Sequence, residues 1–217
     1  MRMSSLLAVC VCSLVPVTSG SQAASTPPCD VLTFTPAYFS AGPVQRDAAV
    51  EDLNGDGIPD LVVANQNTDD VSVLMGNGDG TFASDRRFAA GTEPAAVASA
   101  DANGDTVADL LVVNEGSENV SVLLGHGDGM FDPPVQYDVG RKPRDLSAAD
   151  FDRDGAMDIA VVNFDDDDIS LLFGIGDGTF EPEQRIGTPE PEVFPREPTT
   201  VITPDLNDDD APDIVIV

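Results

Sequence analysis

A nine-residue acidic segment occurs four times in this chain. Asp52-Leu-Asn-Gly-Asp-Gly-Ile-Pro-Asp60 returns as Asp101-Ala-Asn-Gly-Asp-Thr-Val-Ala-Asp109, as Asp150-Phe-Asp-Arg-Asp-Gly-Ala-Met-Asp158 and as Asp205-Leu-Asn-Asp-Asp-Asp-Ala-Pro-Asp213, with starts 49, 49 and 55 residues apart. A second segment follows each of the first three: Gly76-Asn-Gly-Asp-Gly-Thr-Phe82, Gly125-His-Gly-Asp-Gly-Met-Phe131 and Gly174-Ile-Gly-Asp-Gly-Thr-Phe180. Two elements recurring in fixed order define a unit of about 49 residues. A chain built this way must bury the apolar faces of each unit against its neighbours.

Between the two elements lie short runs rich in Val, Ile and Leu, at 61–64 and 71–75, 110–113 and 120–124, 159–162 and 169–173. Each is bounded by Gly, Asn or Asp, and no segment carries a helical period, so the runs read as strands. A further strand precedes each acidic loop, as at 48–51, 95–100 and 199–203. Another follows each Gly-rich turn, where Phe82 with Phe88 and Phe131 with Tyr137 mark it. The expectation is an all-β fold: a β-propeller of about four four-stranded blades of about 49 residues.

In each acidic loop the first, third, fifth and ninth side chains carry oxygen, and the seventh residue offers a carbonyl. Ca²⁺ takes six to eight oxygens at about 2.3 to 2.6 Å, and alternate residues of a curled loop can face one centre. The candidate ligands are Asp52, Asn54, Asp56, Ile58 and Asp60; Asp101, Asn103, Asp105, Val107 and Asp109; Asp150, Asp152, Asp154, Ala156 and Asp158; and Asp205, Asn207, Asp209, Ala211 and Asp213. Gly57 and Gly155 stand at position six, where a positive φ is wanted, whereas Thr106 and Asp210 depart from that pattern. Two carboxylates about 4 Å apart repel by roughly 4 kcal/mol at an effective dielectric of 20, so three or four in one loop call for a cation. Up to four Ca²⁺ ions are expected, one per loop. Mg²⁺ fits less well because it demands a strict octahedron. An EF-hand is excluded: position twelve is Val63, Val112, Val161 or Ile216 rather than Glu, and each lies in a strand.

The Gly-rich segment reads as a turn between the third and fourth strands, with Phe82, Phe131 and Phe180 entering the core. It lacks the following helix and lysine that phosphate-binding glycine loops need. His126 occupies the place held by Asn77 and Ile175 in sister units, which speaks against catalysis. Asn119-Val120-Ser121 matches a glycosylation sequon, but its counterparts begin with Asp70 and Asp168, so it reads as a hairpin residue. The run 165–168 reads as a solvated turn.

Residues 1–23 read as a secretory leader: Arg2, an apolar stretch at 6–17, and small residues at Ser21 and Ala23. The stretch is too short to span a bilayer. The faint lipoprotein-like run before Cys10 comes too early for lipidation. Removing the leader takes Cys10 and Cys12 and leaves Cys29 alone, so no internal disulfide forms. The expected location is outside the cytoplasm: secreted, at the cell surface or periplasmic. A formal charge of −29, from 39 acids against 10 bases, repels nucleic acid and anionic membranes alike.

The acidic loops and Gly-x-Gly-Asp-Gly-x-Phe turns resemble FG-GAP/VCBS repeats, the units of the integrin alpha-subunit N-terminal propeller and of many secreted or surface proteins. The resemblance covers residues 31–217, and Phe88-Ala-Ala-Gly91 is loosely similar to the stretch that names the family. It implies a calcium-bearing propeller with the ion between the first two strands of a blade, on the loop positions given above. It implies no single activity.

The organisation read from this is a leader at 1–23 and a repeat domain at 24–217, with units centred on 52–82, 101–131, 150–180 and 205–217. The fourth unit lacks a third strand and a Gly-rich turn. A segment at 31–34, with Phe39, aligns with a fourth strand and could close the ring. The alternative, an incomplete propeller with open edges prone to self-association, is the preferred expectation. The functional expectation is a non-enzymatic calcium-binding module for adhesion or for binding a protein or carbohydrate ligand. The Pro-rich insertion at 186–198 reads first as an ordinary linker, and is otherwise the best candidate contact loop. The rival reading is the propeller part of a polysaccharide lyase or hydrolase, which would need an acid or base outside the repeat pattern.

Overall fold

The computed structural model describes residues 7–9, 37–39, 41, 44–187, 197–209 and 211–217. Its strands are β1 (Leu7–Val9), β2 (Ala37–Phe39), β3 (Gln45–Glu51), β4 (Asp60–Asn65), β5 (Asp70–Leu74), β6 (Arg86–Ala89), β7 (Pro94–Ala100), β8 (Asp109–Asn114), β9 (Asn119–Leu123), β10 (Val135–Asp138), β11 (Pro143–Ala149), β12 (Asp158–Asn163), β13 (Asp168–Leu172), β14 (Gln184–Gly187), β15 (Val201–Ile202) and β16 (Val215–Ile216). Three antiparallel sheets of four strands, β3–β6, β7–β10 and β11–β14, follow one another as meanders, and a two-stranded sheet, β15–β16, begins a fourth. The architecture is the expected propeller type, and among the described residues it is partial: three units carry four strands and the fourth carries two.

The second strand of every complete unit shows why the sheets stack. β4, β8 and β12 are buried at all six positions. Successive residues of a strand point to opposite faces, so an uninterrupted apolar run needs a partner on both sides. The clusters show the division. Val62 and Ala64 pack with Leu110 and Val112. Leu111 and Val113, on the other face of β8, pack with Ile159 and Val161. Ala160 and Val162 then meet Val201, with Ile214 and Ile216 beside it. Fully burying one such side chain is worth about 1.5–3 kcal/mol, so each seam rests on several of them.

The first strands sit side by side, β3 against β7, β7 against β11 and β11 against β15. Each of β3, β7 and β11 has a register shift near its start, at Gln45/Asp47, Pro94/Ala96 and Pro143/Asp145. Just past it, Asp47 accepts a hydrogen bond from the Val97 amide and Asp145 from that of Val201, both at 3.0 Å, so each tie reaches the next unit. Glu115 accepts from Arg46 at 3.3 Å and from Arg144 at 2.8 Å, joining units one and three through unit two.

No comparable packing joins β15 or β16 to the first sheet. Val50 of β3 and Ile202 of β15 are 63% and 52% exposed, which fits an arrangement that is not closed. The segment at 31–34 considered for ring closure lies outside the described residues, as does most of the Pro-rich insertion. Phe39 pairs instead with Leu7, in a two-stranded ribbon whose other strand falls within the stretch read as a leader. The remaining residues of 1–23 are outside the described set. No helix among the described residues is long and apolar enough to cross a membrane.

Candidate metal centres

Each acidic loop is a coil wrapped around its own carboxylates. In the first, Asp52 accepts hydrogen bonds from the amides of Asp56 and Gly57 at 3.2 and 2.8 Å, and Asp56 accepts from Ile58 at 2.7 Å. The second repeats this: Asp101 takes the amides of Asp105 and Thr106, and Asp105 that of Val107. So does the third, with Asp150 on Asp154 and Gly155, and Asp154 on Ala156. Positions four and six take positive φ throughout the complete units: Gly55 and Gly57, Gly104 and Thr106, Arg153 and Gly155. Thr106 departs from glycine in sequence only. At φ 69° it keeps the loop path of its sisters, at the strain that a β-branched residue bears there.

The ninth residue does more than its spacing reveals. Asp60, Asp109 and Asp158 are essentially fully buried. One oxygen of each accepts the amide of the loop's second residue, Leu53, Ala102 or Phe151, at 2.8–3.0 Å. The other accepts the amide of the first glycine of the Gly-rich turn, Gly76, Gly125 or Gly174, at 2.7–2.8 Å. The ninth carboxylate therefore fastens the acidic loop to the turn that follows 16 residues later. The approach is so close that a Cβ on Gly76, Gly125 or Gly174 would collide with the carbonyl oxygen of Pro59, Ala108 or Met157. Burial pushes the carboxyls of Asp109 and Asp158 above the ordinary carboxylate range against the pull of these amides, and the loop carboxylates alongside add to the rise. At the half-buried Asp52, hydrogen bonding led by the Gly57 amide lowers it.

Among the described residues, Asp150, Asp152 and Asp158 each bring one carboxylate oxygen within 4.8 Å of the others. Oxygens bound to one ion at about 2.3 to 2.6 Å lie no farther apart than roughly 5 Å, so the set fits a Ca²⁺ ion. Asn54, Asn103 and Asn207 hold the corresponding third position in the other loops. The fourth loop keeps the internal pattern, with Asp209 accepting the Ala211 amide at 2.8 Å and Asp213 accepting that of Leu206 at 2.8 Å. Asp213 is only half-buried and has no Gly-rich turn to hold among the described residues.

Phe131 and Phe180 enter the core as expected. His126 is half-exposed, its Nε2 2.9 Å from Asp132. Asn119 is buried and accepts the side-chain amide of Asn114 at 2.9 Å, which agrees with a structural hairpin residue. The run 165–168 differs from the solvated turn expected: Asp165 pairs with Lys142, Asp166 with Arg141 and Arg185, and Asp168 with Arg185. The bases come from the β10–β11 connection and from β14, 17 to 25 residues away in sequence, which is why local reading missed them. Also missed was a buried polar pair in each complete unit, Asn65 with Ser72, Asn114 with Ser121 and Asn163 with Ser170, at 2.8–3.0 Å. Its recurrence in register was the available signal.

A family model for the FG-GAP-like repeat matches residues 52–112, 103–161 and 150–216. The chain belongs to the FG-GAP-like repeat family. The three matched windows together run from the first acidic loop to the last strand. Among curated proteins none matches. Among solved structures it is similar to an Agrocybe aegerita lectin described as recognising non-reducing terminal N-acetylglucosamine (21% identity, TM-score 0.55, 77% of this chain and 45% of that one). It is also similar to a functionally unknown protein of Desulfotomaculum acetoxidans (13% identity, TM-score 0.56, 81% and 51%). The chain thus spans about half the length of these structures, and the likeness is one of fold.

Proposed function

We propose that this FG-GAP-like chain is a secreted, calcium-stabilised propeller segment that works by binding a protein or carbohydrate ligand, as in adhesion, and not by catalysis. The observation that carries the metal half is the convergence of Asp150, Asp152 and Asp158 within 4.8 Å. Asp154 and the Ala156 carbonyl complete that loop's donor set, and the equivalent positions serve the other three. The ion would supply charge neutralisation. Thirteen of the 39 acids stand at the proposed ligand positions, and their mutual repulsion turns into attraction to a shared cation.

The binding half is supported by fold. Propellers present loops and inter-blade grooves on a rigid frame, and a lectin is among those of similar shape. Against catalysis, the acids at the first, fifth and ninth positions recur in all four loops, the placement of structural ligands. Isothermal titration of the purified chain with Ca²⁺ tests the reading. Uptake at micromolar to millimolar concentration is expected, with a rise in melting temperature corresponding to about 2.7 kcal/mol at a hundredfold excess over Kd. No uptake at millimolar Ca²⁺ would sink the metal half, and turnover of uronate polysaccharides the non-enzymatic one.

A further inference from the structure

The repeats provide their own control for finding what the fold does not require. In the seam between the first two sheets, Phe88 of β6 meets Phe131 edge-to-face with ring centres 5.2 Å apart. In the next seam Tyr137 of β10 meets Phe180 in the same way at 5.3 Å. Packing is thus served equally well by either pair. Around the second pair a groove of about 500 Å³ opens between β10 and the third sheet, walled by Gln136, Tyr137, Asp138, Phe180, Glu181 and Glu183. Their counterparts one unit earlier are Arg87, Phe88, Ala89, Phe131, Asp132 and Pro134.

The differences run in one direction. Arg87 is tied to Asp70 at 3.2 Å and to Asp85 at 3.0 Å, and Arg185, its equivalent in unit three, to Asp166 and Asp168. At the same place in unit two stands Gln136, a neutral group that both donates and accepts, with Asn119 in the place of Asp70 and Asp168. Phenylalanine becomes tyrosine and alanine becomes Asp138; Glu183 accepts a hydrogen bond from Ser170 and lies 3.8 Å from Arg185, as its unit-one equivalent Asp85 accepts from Ser72 and pairs with Arg87. Gln136, Asp138 and Glu181 are exposed, and Tyr137 and Glu183 half-buried, so the polar groups line open space.

We propose that this groove between the second and third sheets binds a neutral saccharide unit, a hexose or an N-acetylhexosamine; the proposal rests on the ligand-binding reading above and gives it a place and a ligand class. An aromatic wall receives the apolar C–H face of the sugar ring. Carboxylates accept from adjacent hydroxyls in charge-assisted hydrogen bonds, and the Gln136 carboxamide pairs with either a donor or an acceptor. A few convergent polar groups on an apolar wall are what fix the orientation of a small ligand. Asp138 and Glu181 repel an anionic sugar, so the site discriminates against uronic acids.

The test is a titration of the full, Ca²⁺-loaded, ¹⁵N-labelled protein with N-acetylglucosamine, with glucuronic acid and with a trilysine peptide, read by amide chemical shifts. N-acetylglucosamine is expected to move the amides of 136–138 and 180–183, and glucuronic acid to leave them in place. The double variant Tyr137→Phe/Asp138→Ala restores the residues of the sister seam, where the same packing exists, so it folds. It is expected to weaken sugar binding about tenfold. Three results overturn the proposal: no shifts with the sugar, shifts that the double variant leaves unchanged, or shifts at these amides with trilysine alone. In the second case the protein still binds a sugar and the ligand-binding reading survives; only the groove is lost. Ca²⁺ uptake is scored separately and stands or falls by itself.

Discussion

The third and fourth acidic loops share a motif and an internal hydrogen-bond pattern, yet they differ in what the ninth residue does. Asp158 is 1% exposed and links the amides of Phe151 and Gly174. Asp213 is half-buried and accepts only the loop amide of Leu206 among the contacts described. The nine-residue motif alone makes a curled loop. The ninth carboxylate is fully buried and accepts on both oxygens where the hairpin behind it supplies the glycine amide. A third strand and its turn are thus part of the site as much as the acids are.

The sharpest way to break this contrast is to remove the two carboxyl groups in turn. Asp158→Ala strands the buried Gly174 amide and the half-buried Phe151 amide and is expected to cost about 3 kcal/mol in chemical denaturation, whereas Asp213→Ala should cost no more than about 1 kcal/mol. Equal losses would show that the hairpin plays no such part. The next largest effect comes from the glycine side of the link. Gly174→Ala forces the turn away from the Met157 carbonyl and is expected to destabilise by about 2 kcal/mol. It should also weaken Ca²⁺ uptake at one site while the fourth loop is unaffected.

A smaller effect lies at the opposite end of the third sheet. Burial raises the Asp166 carboxyl, but the Arg141 amide and the guanidiniums of Arg185 and Arg141 outweigh it and hold it at about 2. Its folded pKa lies below the unfolded value near 3.9, so its stabilisation is present above pH of about 4 and vanishes as pH falls toward 2. After solvent screening it is on the order of 1 kcal/mol. Urea melts of Asp166→Asn and the parent chain should therefore differ at pH 6 and converge near pH 2; a constant gap would contradict the assignment. The smallest change expected is a gain: Thr106→Gly relieves a β-branched residue at φ 69° and should stabilise the second loop by about 0.5 kcal/mol, read as a higher melting temperature.

Much of this was legible in the chain itself. The strands showed as runs of Val, Leu and Ile between acidic and glycine-rich punctuation, because a strand buried on both faces has no polar alternation to hide it. The loop positions showed because four copies kept the same spacing. What stayed illegible was whatever depends on the chain folding back. Asp60, Asp109 and Asp158 read as one more ligand each, since spacing gives register but not the glycine amide that arrives 16 residues later. The run 165–168 read as a solvated turn because Arg141 and Lys142 are supplied by the β10–β11 connection and Arg185 by β14. The groove at Tyr137 emerges only when the sheets are set side by side and the repeats are compared at matching places.

The two-sided burial of β4, β8 and β12 also sets a grammar for how such a chain can change length. Leu110 and Val112 serve one seam and Leu111 and Val113 the other. Deleting a single residue within β8 would exchange the two sets and spoil two interfaces at once. Adding or losing an entire unit of 49 residues changes only how many seams there are, because each meets its neighbour through equivalent side chains. Change of length by whole units therefore leaves each seam intact, whereas a shift within a buried strand does not.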